Sequence, residues 1–367
     1  MENLELSPSF WKDRRILITG HTGFKGGWLS IWLQQLGAAV AGYALPAPTE
    51  PNLFDAACVA KAMTSVTGDV RDLEQLSGFV SEYRPEVIVH MAAQSLVRRS
   101  YADPVETYGS NVMGTVHVLE AARRCRDVRV VVNVTSDKCY ENRERPWGYR
   151  ENDAMGGHDA YSSSKGCAEL ITSAYRRSYF SSDSATGRPA SLALASARAG
   201  NVIGGGDWAE DRLVPDVMRA FVSGRAAVIR NPDSVRPWQH VLEPLRGYLK
   251  LAERLYHEGP AFAQAWNFGP SDDDARPVGW LVDRLCSLWG SPACWEQDGA
   301  ETHPHEAYFL KLDCSKARAK LGWRPSLGLE DALSWAVDWY KCFEGGGDVR
   351  ALTEEQIARF EAGQSSV

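Results

Sequence analysis

The chain has 367 residues, 44% of them hydrophobic and 24% charged, with a formal net charge of −7. That length suffices for one large or two medium domains with a sizeable core. The acidic balance and the lack of a dense basic tract point away from nucleic acid, and no apolar run approaches the ~20 residues that span a bilayer.

In chain order, the polar and acidic start Met1–Phe10 is unlike a signal peptide, so a cytoplasmic location is expected. "RILITG" (15–20) predicts a first strand ending in glycine. "GGWLSIWLQQLG" has helical spacing at Trp28, Leu29, Trp32, Leu33 and Leu36, closed by Gly37. "AAVAGYAL" predicts a second strand. "VIVHMAA" (87–93) and "VRVVVNVTS" (128–136) predict two more, with a helix over 105–124 between them. "DAYSSSKGCAELITSAYRRSY" predicts a long helix and "SLALASARAGNV" a further strand. Strands alternating with helices predict an α/β fold, a doubly wound parallel sheet of Rossmann type over residues 1–200. Their near-continuous Val and Ile content fits burial on both faces.

After Asn201, glycine, proline and tryptophan rise and the helices shorten. A smaller mixed α/β substrate-binding domain is expected over 201–345, with a segment near 236–258 returning to the first domain. "EGGGDV" reads as a linker. Residues 346–367 are expected as a tail carrying a surface helix, with a capping box at Thr353 and Gln356. Eight cysteines (58, 125, 139, 167, 286, 294, 314 and 342) lie scattered without a CxxC pair, so reduced thiols are expected. Most of the thirteen tryptophans are expected in packing.

"TGHTGFKGGW" places Gly20, Gly23 and Gly26 between the first strand and the first helix. Gly20 would permit a tight turn, Gly23 a close approach of backbone to a pyrophosphate, and Gly26 close helix–strand packing. The helix N-terminus would add N–H donors and positive dipole. An ordinary glycine turn is the alternative, but strand–turn–helix is the context a dinucleotide site requires. An acid for the ribose is expected about 20 residues beyond such a loop. "AGYALPAP" has neither that acid nor an arginine for a 2′-phosphate, which favours NAD over NADP.

"YSSSK" puts Tyr161 and Lys165 on one helix face. A phenol is a poor base near neutrality, and a nearby ammonium would favour the phenolate. A surface Tyr/Lys pair has the same spacing; the glycine loop upstream tips the balance to catalysis. "VTSDKCY" ends the preceding strand with Ser136, Asp137 and Lys138. An added acid and base beside a redox set suits elimination of water. A local ion pair is the alternative for Asp137 and Lys138.

Together these motifs resemble the extended short-chain dehydrogenase/reductases, and among them the nucleotide-sugar 4,6-dehydratases, from about residue 12 to 340. The resemblance implies oxidation at C4 of a hexose, loss of the C5 proton and C6 hydroxyl, and return of hydride to C6. It implies catalytic roles for Ser136 (on the C4 oxygen), Asp137 (acid), Tyr161 and Lys165. Lys138 falls where related dehydratases carry a glutamate base, so an amine would take that role. The cofactor set implied is Gly20, Gly23, Phe24, Gly26, Asp69, Val70, Ala92, Ala93, Asn111, Thr135, Tyr161 and Lys165. Asp69, on the adenine, would otherwise cap a helix.

The substrate set implied is Gln94, Asn201, Arg212, Leu213, Arg236 and Asn267. Guanidinium groups suit a diphosphate, although surface salt bridges are commoner for any one arginine. "GHTGFKGGWL", "TSDKCYEN" and "ARAGNVIGGGDWAEDRLVPD" resemble the branch that takes CDP-D-glucose, which implies that partner. Another nucleotide-sugar dehydratase, a 4-epimerase, or a non-catalytic dinucleotide sensor are the alternatives. The resemblance also implies a homodimer or homotetramer pairing through two long helices of the first domain. His90 is expected packed at a strand end, and His158 and Asp159 near the cleft or as loop caps. Glu301, His303, His305 and Glu306 read as a polar loop; no metal is expected.

Overall fold

The computed structural model describes residues 6–180, 192–299 and 310–363. The stretch with Glu301, His303, His305 and Glu306 lies outside them. Six strands come first: β1 (Arg15–Thr19), β2 (Ala39–Ala44), β3 (Thr64–Thr67), β4 (Val87–His90), β5 (Val130–Val134) and β6 (Ala193–Ala199). After them come β7 (Asn201–Ile203), β8 (Ala227–Ile229), β9 (Val235–His240), β10 (Ala265–Phe268), β11 (Ala275–Pro277) and β12 (Trp295–Gln297). The main sheet runs β10-β6-β5-β4-β1-β2-β3, and every pairing in it is parallel. This is the doubly wound order with one strand added beyond β6.

Alternation along the strands feeds two apolar layers. Ile16, Ile18, Val87, Val89, Val130 and Val132 face one; Leu17, Ile88 and Val131 face the other. On the first face pack the glycine-loop helix (Phe24–Gln35), through Trp28, Leu29 and Trp32, and the helix Leu242–Glu258, through Leu245 and Leu249. On the second pack Leu73–Tyr83 and Gly114–Arg124, through Leu76, Val80, Val118 and Leu119. Burial on both faces explains why β4 and β5 read as near-continuous apolar runs, broken only by His90 and Asn133: every residue in them is buried.

The second region carries a three-stranded sheet, β11-β9-β7, and a two-stranded one, β12-β8. Leu213–Val222, Val278–Trp289 and Leu329–Glu344 pack around them. The returning segment reaches further than the sequence predicts. Beyond the helix Leu242–Glu258, β10 pairs with β6 as the seventh strand of the main sheet.

Three expectations change. β3 was not legible, because its four residues TSVT form a largely exposed edge strand. The helix expected over 105–124 starts at Pro104, capped by Asp103, and passes through a π-helical turn at Gly109–Met113. Thr353 does not cap the last helix. Asp348 does, and the helix runs Val349–Ala362 with Val349, Thr353, Gln356, Ile357 and Phe360 buried.

That last helix is docked rather than loose. Trp32 Nε1 donates to Glu361, Trp339 Nε1 to Thr353, and the Phe360 ring meets Trp32 edge-on at 5.8 Å. It thus buttresses the helix that carries the glycine loop. Phe360→Ala should cost about 3 kcal/mol of unfolding free energy in urea titrations. A loss under about 1 kcal/mol would mean the helix adds no packing energy.

Candidate active site

The parallel sheet sends the ends of β1, β4, β5 and β6 to one edge, where a cleft of about 1900 Å³ opens between the sheet and the second region. A pocket for one small-molecule ligand measures roughly 300–1,000 Å³, so this cleft has room for two ligands side by side. All the residues expected at the site line it except Asn111 and Asn267.

The glycine loop leaves no room for side chains where it turns. Gly20 has φ +81°, and a Cβ there would lie 2.7 Å from the Ala92 nitrogen. A Cβ on Gly26 would lie 2.1 Å from the Gly20 carbonyl oxygen. Gly23 sits at the N-cap of the helix Phe24–Gln35, whose first N–H groups open on the cleft. Such a cradle, with small Ala92 and Ala93 beside it, fits a pyrophosphate. Asp69, also on the cleft, is held by the Arg71 guanidinium at 2.8 Å, and Asp72 rather than Asp69 caps the next helix.

At the end of β5 the chain makes a tight turn. Ser136 caps the short helical turn Asp137–Cys139 and donates to Asp137 Oδ1 at 3.0 Å. Asp137 is 6% exposed. Burial raises its carboxyl above the usual range, against the pull of Lys138, Ser136 and Lys25. A Cβ on Gly200 would lie 2.8 Å from Asp137 Oδ2, so a side chain there would press on the carboxyl.

Tyr161 and Lys165 face the same turn from the helix Ala160–Ser178, whose N-cap is Asp159. Both are buried. Burial pushes the Tyr161 phenol up to about 12, with Ser136 pulling the other way. Burial pushes Lys165 down to about 8, opposed by Cys139 and Glu169.

Two expected ligand contacts are made to protein instead. Asn267 is fully buried; its amide donates to the carbonyls of Tyr149 (2.8 Å) and Asp313 (3.2 Å), and its oxygen accepts from Tyr140 (2.7 Å). It cannot reach a ligand. Asn111, in the π-helical turn, bonds the Gln94 backbone at both ends and Ser164 Oγ at 2.9 Å. Gln94 lines the cleft, but its side-chain amide is committed to Leu96 and Thr107. Arg212 bonds Asp207 and, at 2.9 Å, Ser95 across the cleft. His90 is packed between Thr19 and Thr115, and burial pushes it down to about 3.

One family model matches residues 16–266, from β1 into β10. The chain belongs to the NAD dependent epimerase/dehydratase family. Its dinucleotide is therefore NAD, in agreement with the glycine cradle. Within this family the chain is 54% identical over 355 residues to the CDP-glucose 4,6-dehydratase of Salmonella typhimurium, covering 97% of this chain and 98% of that one. The fold matches the UDP-glucose 4-epimerase of Thermotoga maritima, with TM-score 0.77 at 20% identity over 90% of this chain and 99% of that one. It also matches the NAD complex of dTDP-glucose 4,6-dehydratase from Bacillus anthracis, with TM-score 0.73 at 21% identity over 92% and 99%. No described helix is long and apolar enough to cross a membrane, and the described residues hold no metal-binding group of His, Cys, Asp or Glu.

Lys25, inside the glycine motif, was not singled out from the sequence. It lines the cleft half-buried, 5.8 Å from the Tyr248 ring centroid, with neither ion pair nor hydrogen bond among the described residues. Its only signal was a charge where the motif tolerates any residue. Burial lowers it from 10.5 to about 7, helped by Arg212 and Lys165 and opposed by Asp137 and Asp207. Below that value the folded and unfolded states are both protonated, and the burial cost is full. As pH rises from about 7 toward 10.5, the folded state sheds its proton first, so stability rises through that window. Lys25→Met should flatten this slope in the dinucleotide-free protein, measured by urea unfolding at pH 7 and pH 9. An unchanged slope would show that Lys25 does not titrate there.

Proposed function

We propose that the protein converts CDP-D-glucose to CDP-4-dehydro-6-deoxy-D-glucose and water. The observation that carries this reading is the meeting, in one cleft, of a redox set (Ser136, Tyr161, Lys165) with an acid and an amine (Asp137, Lys138) at the end of β5. The near full-length likeness to a CDP-glucose enzyme supports the choice of sugar nucleotide.

The glycine loop, with Ala92 and Ala93, would hold NAD, which would supply reversible hydride transfer from C4 and to C6. The side chains handle the protons. The Tyr161 oxygen takes the C4 hydroxyl proton, and Lys165 and the Ser136 hydroxyl favour the charge that develops there. A buried phenol pushed up to about 12 needs that help. Once C4 is a ketone, the C5 proton is acidic, and the Lys138 amine takes it. Asp137, whose burial favours the protonated acid, delivers its proton to the leaving C6 hydroxyl. Water departs, the amine returns its proton to C5, the proton taken up by Tyr161 passes to Asp137 to reset both, and the net change is loss of H and OH. Arg212 and Arg236 would hold the diphosphate; Arg212 would exchange its present partners for phosphate oxygens.

A panel of CDP-, dTDP-, GDP- and UDP-hexoses, read by mass spectrometry, should show loss of water with CDP-glucose, and deuterium placed at C4 should reappear at C6. No water loss with any of them ends the proposal. Lys138→Met should bind NAD normally and reduce it in a single turnover, yet lose product formation by about a hundredfold or more. Normal turnover in that variant removes lysine from the mechanism.

The assembly proposed is a homodimer, alone or paired into a tetramer. Tyr101, Val105, Met113 and Leu170 lie exposed on helices of the sheet's second face, with Val105 80% exposed. Neighbouring helices there pack together, and their outer apolar residues suit a matching copy. The double variant Val105→Asp/Leu170→Asp should sediment as a monomer. A wild-type mass maintained in that variant would place the interface elsewhere.

A further inference from the structure

Tyr161, Lys165 and Glu169 are spaced four residues apart on one helix, so they rise along one face. The first two belong to the proposed chemistry; the third is buried beneath it, 4% exposed. Glu169 Oε1 accepts the Thr135 hydroxyl at 2.5 Å, and Oε2 accepts Ser196 Oγ at 2.7 Å. Arg198, on β6 and 3% exposed, closes on the same carboxylate with two N–H groups at 2.9 and 2.7 Å. Burial alone would raise the Glu169 carboxyl, but the Arg198 charge and these four hydrogen bonds hold it below the usual range.

Arg198 has a further arm. Its Nη1 donates to the Tyr140 hydroxyl at 2.6 Å, and that hydroxyl donates to Asn267 at 2.7 Å. Thr135 and Tyr140 are the two ends of the turn that carries Ser136, Asp137 and Lys138. One buried ion pair therefore grips both ends of the turn, and it does so from the helix that carries Tyr161 and Lys165.

We propose that Glu169 and Arg198 are positioning residues that set the Ser136–Lys138 turn against Tyr161 and Lys165. Neither touches the cleft. A buried ion pair is a poor source of stability, because desolvation offsets most of its attraction, so apolar or neutral partners of similar volume often serve as well. What such partners do not supply is a fork that holds two separate segments at fixed distances. The kinetic consequence rests on the dehydratase reading; the geometric one does not. Oxidation uses Tyr161 and Lys165 on the helix with Ser136 alone from the turn, whereas elimination uses Asp137 and Lys138, both in the turn. Loosening the turn should therefore harm elimination more.

The test is the charge-balanced double variant Glu169→Gln/Arg198→Met, together with Tyr140→Phe, which removes the hydroxyl joining Arg198 to Asn267 and leaves the Glu169–Arg198 pair in place. In the double variant the melting temperature should return close to wild type. Amide hydrogen exchange over 135–140 should nevertheless be about tenfold faster, while β4 is unchanged. With CDP-glucose, both variants should reduce NAD in a single turnover and accumulate the reduced form. Water loss should fall about a hundredfold in the double variant, the scale of a misplacement near 1 Å, and measurably in Tyr140→Phe. Recovery of turnover together with melting temperature would overturn the proposal, as would unchanged exchange over 135–140. Should the double variant not fold, wild-type turnover and exchange in Tyr140→Phe would overturn it as well. If wild-type protein loses no water from CDP-glucose but the exchange result holds, the dehydratase reading fails and the positioning role stands.

Discussion

The structure depends on one directional constraint: all seven strands of the main sheet run the same way. Parallel strands must be rejoined by crossover segments, so both faces are covered and the strand ends gather at one edge. The glycine loop after β1, the two alanines after β4, the Ser-Asp-Lys turn after β5 and Gly200 after β6 are neighbours for that reason alone. They come from distant parts of the chain. The edge also receives the N-termini of the helices Phe24–Gln35 and Ala160–Ser178, each with orphan N–H groups and positive dipole.

On this frame the cleft carries charge of both signs. Lys25, Lys138, Lys165 and Arg212 line it with Asp137 and Asp207, among further arginines such as Arg98 and Arg236 and further acids such as Asp69 and Asp159, and Asp207 is paired with Arg212. Burial is the first cause of the lowered values of both Lys25 and Lys165, since it disfavours the ammonium. A diphosphate on the glycine loop would favour the Lys25 ammonium, so anion binding there and protonation of that amine are linked.

Features encoded by short spacing were legible in the sequence. The GxxGxxG turn, the Tyr161/Lys165 pair and the apolar runs of β1, β4 and β5 depend on residues within a turn or two of each other, so each can be read from one window. Features encoded by distant contacts were not. Asn267 looks like a ligand contact from its motif, yet it is consumed by Tyr140, Tyr149 and Asp313. Glu169 and Arg198 sit in a helix pattern and a strand pattern that say nothing of each other. β10 is four residues long and joins the first sheet only because β6 offers a free edge. Thr353 and Gln356 fit a capping box by spacing, but Trp339 and the Trp335 carbonyl claim their side chains, and the helix begins earlier, at Val349.

Gly200 shows how the two regions constrain each other. It is the single residue between β6 of the main sheet and β7 of the second region, so the chain crosses from one to the other there without a loop. A flexible residue would suit a hinge, but the φ of Gly200 is not in the left-handed range that favours glycine. What crowds the position is Asp137 Oδ2, 2.8 Å from where a Cβ would lie. The acid thus leans on the crossing point, with Arg212 and Asn201 just beyond it on the cleft. A side chain at 200 would push the Asp137 carboxyl aside and so shift it relative to Arg212. The small residue at the junction therefore leaves room for a carboxyl group on the turn after β5.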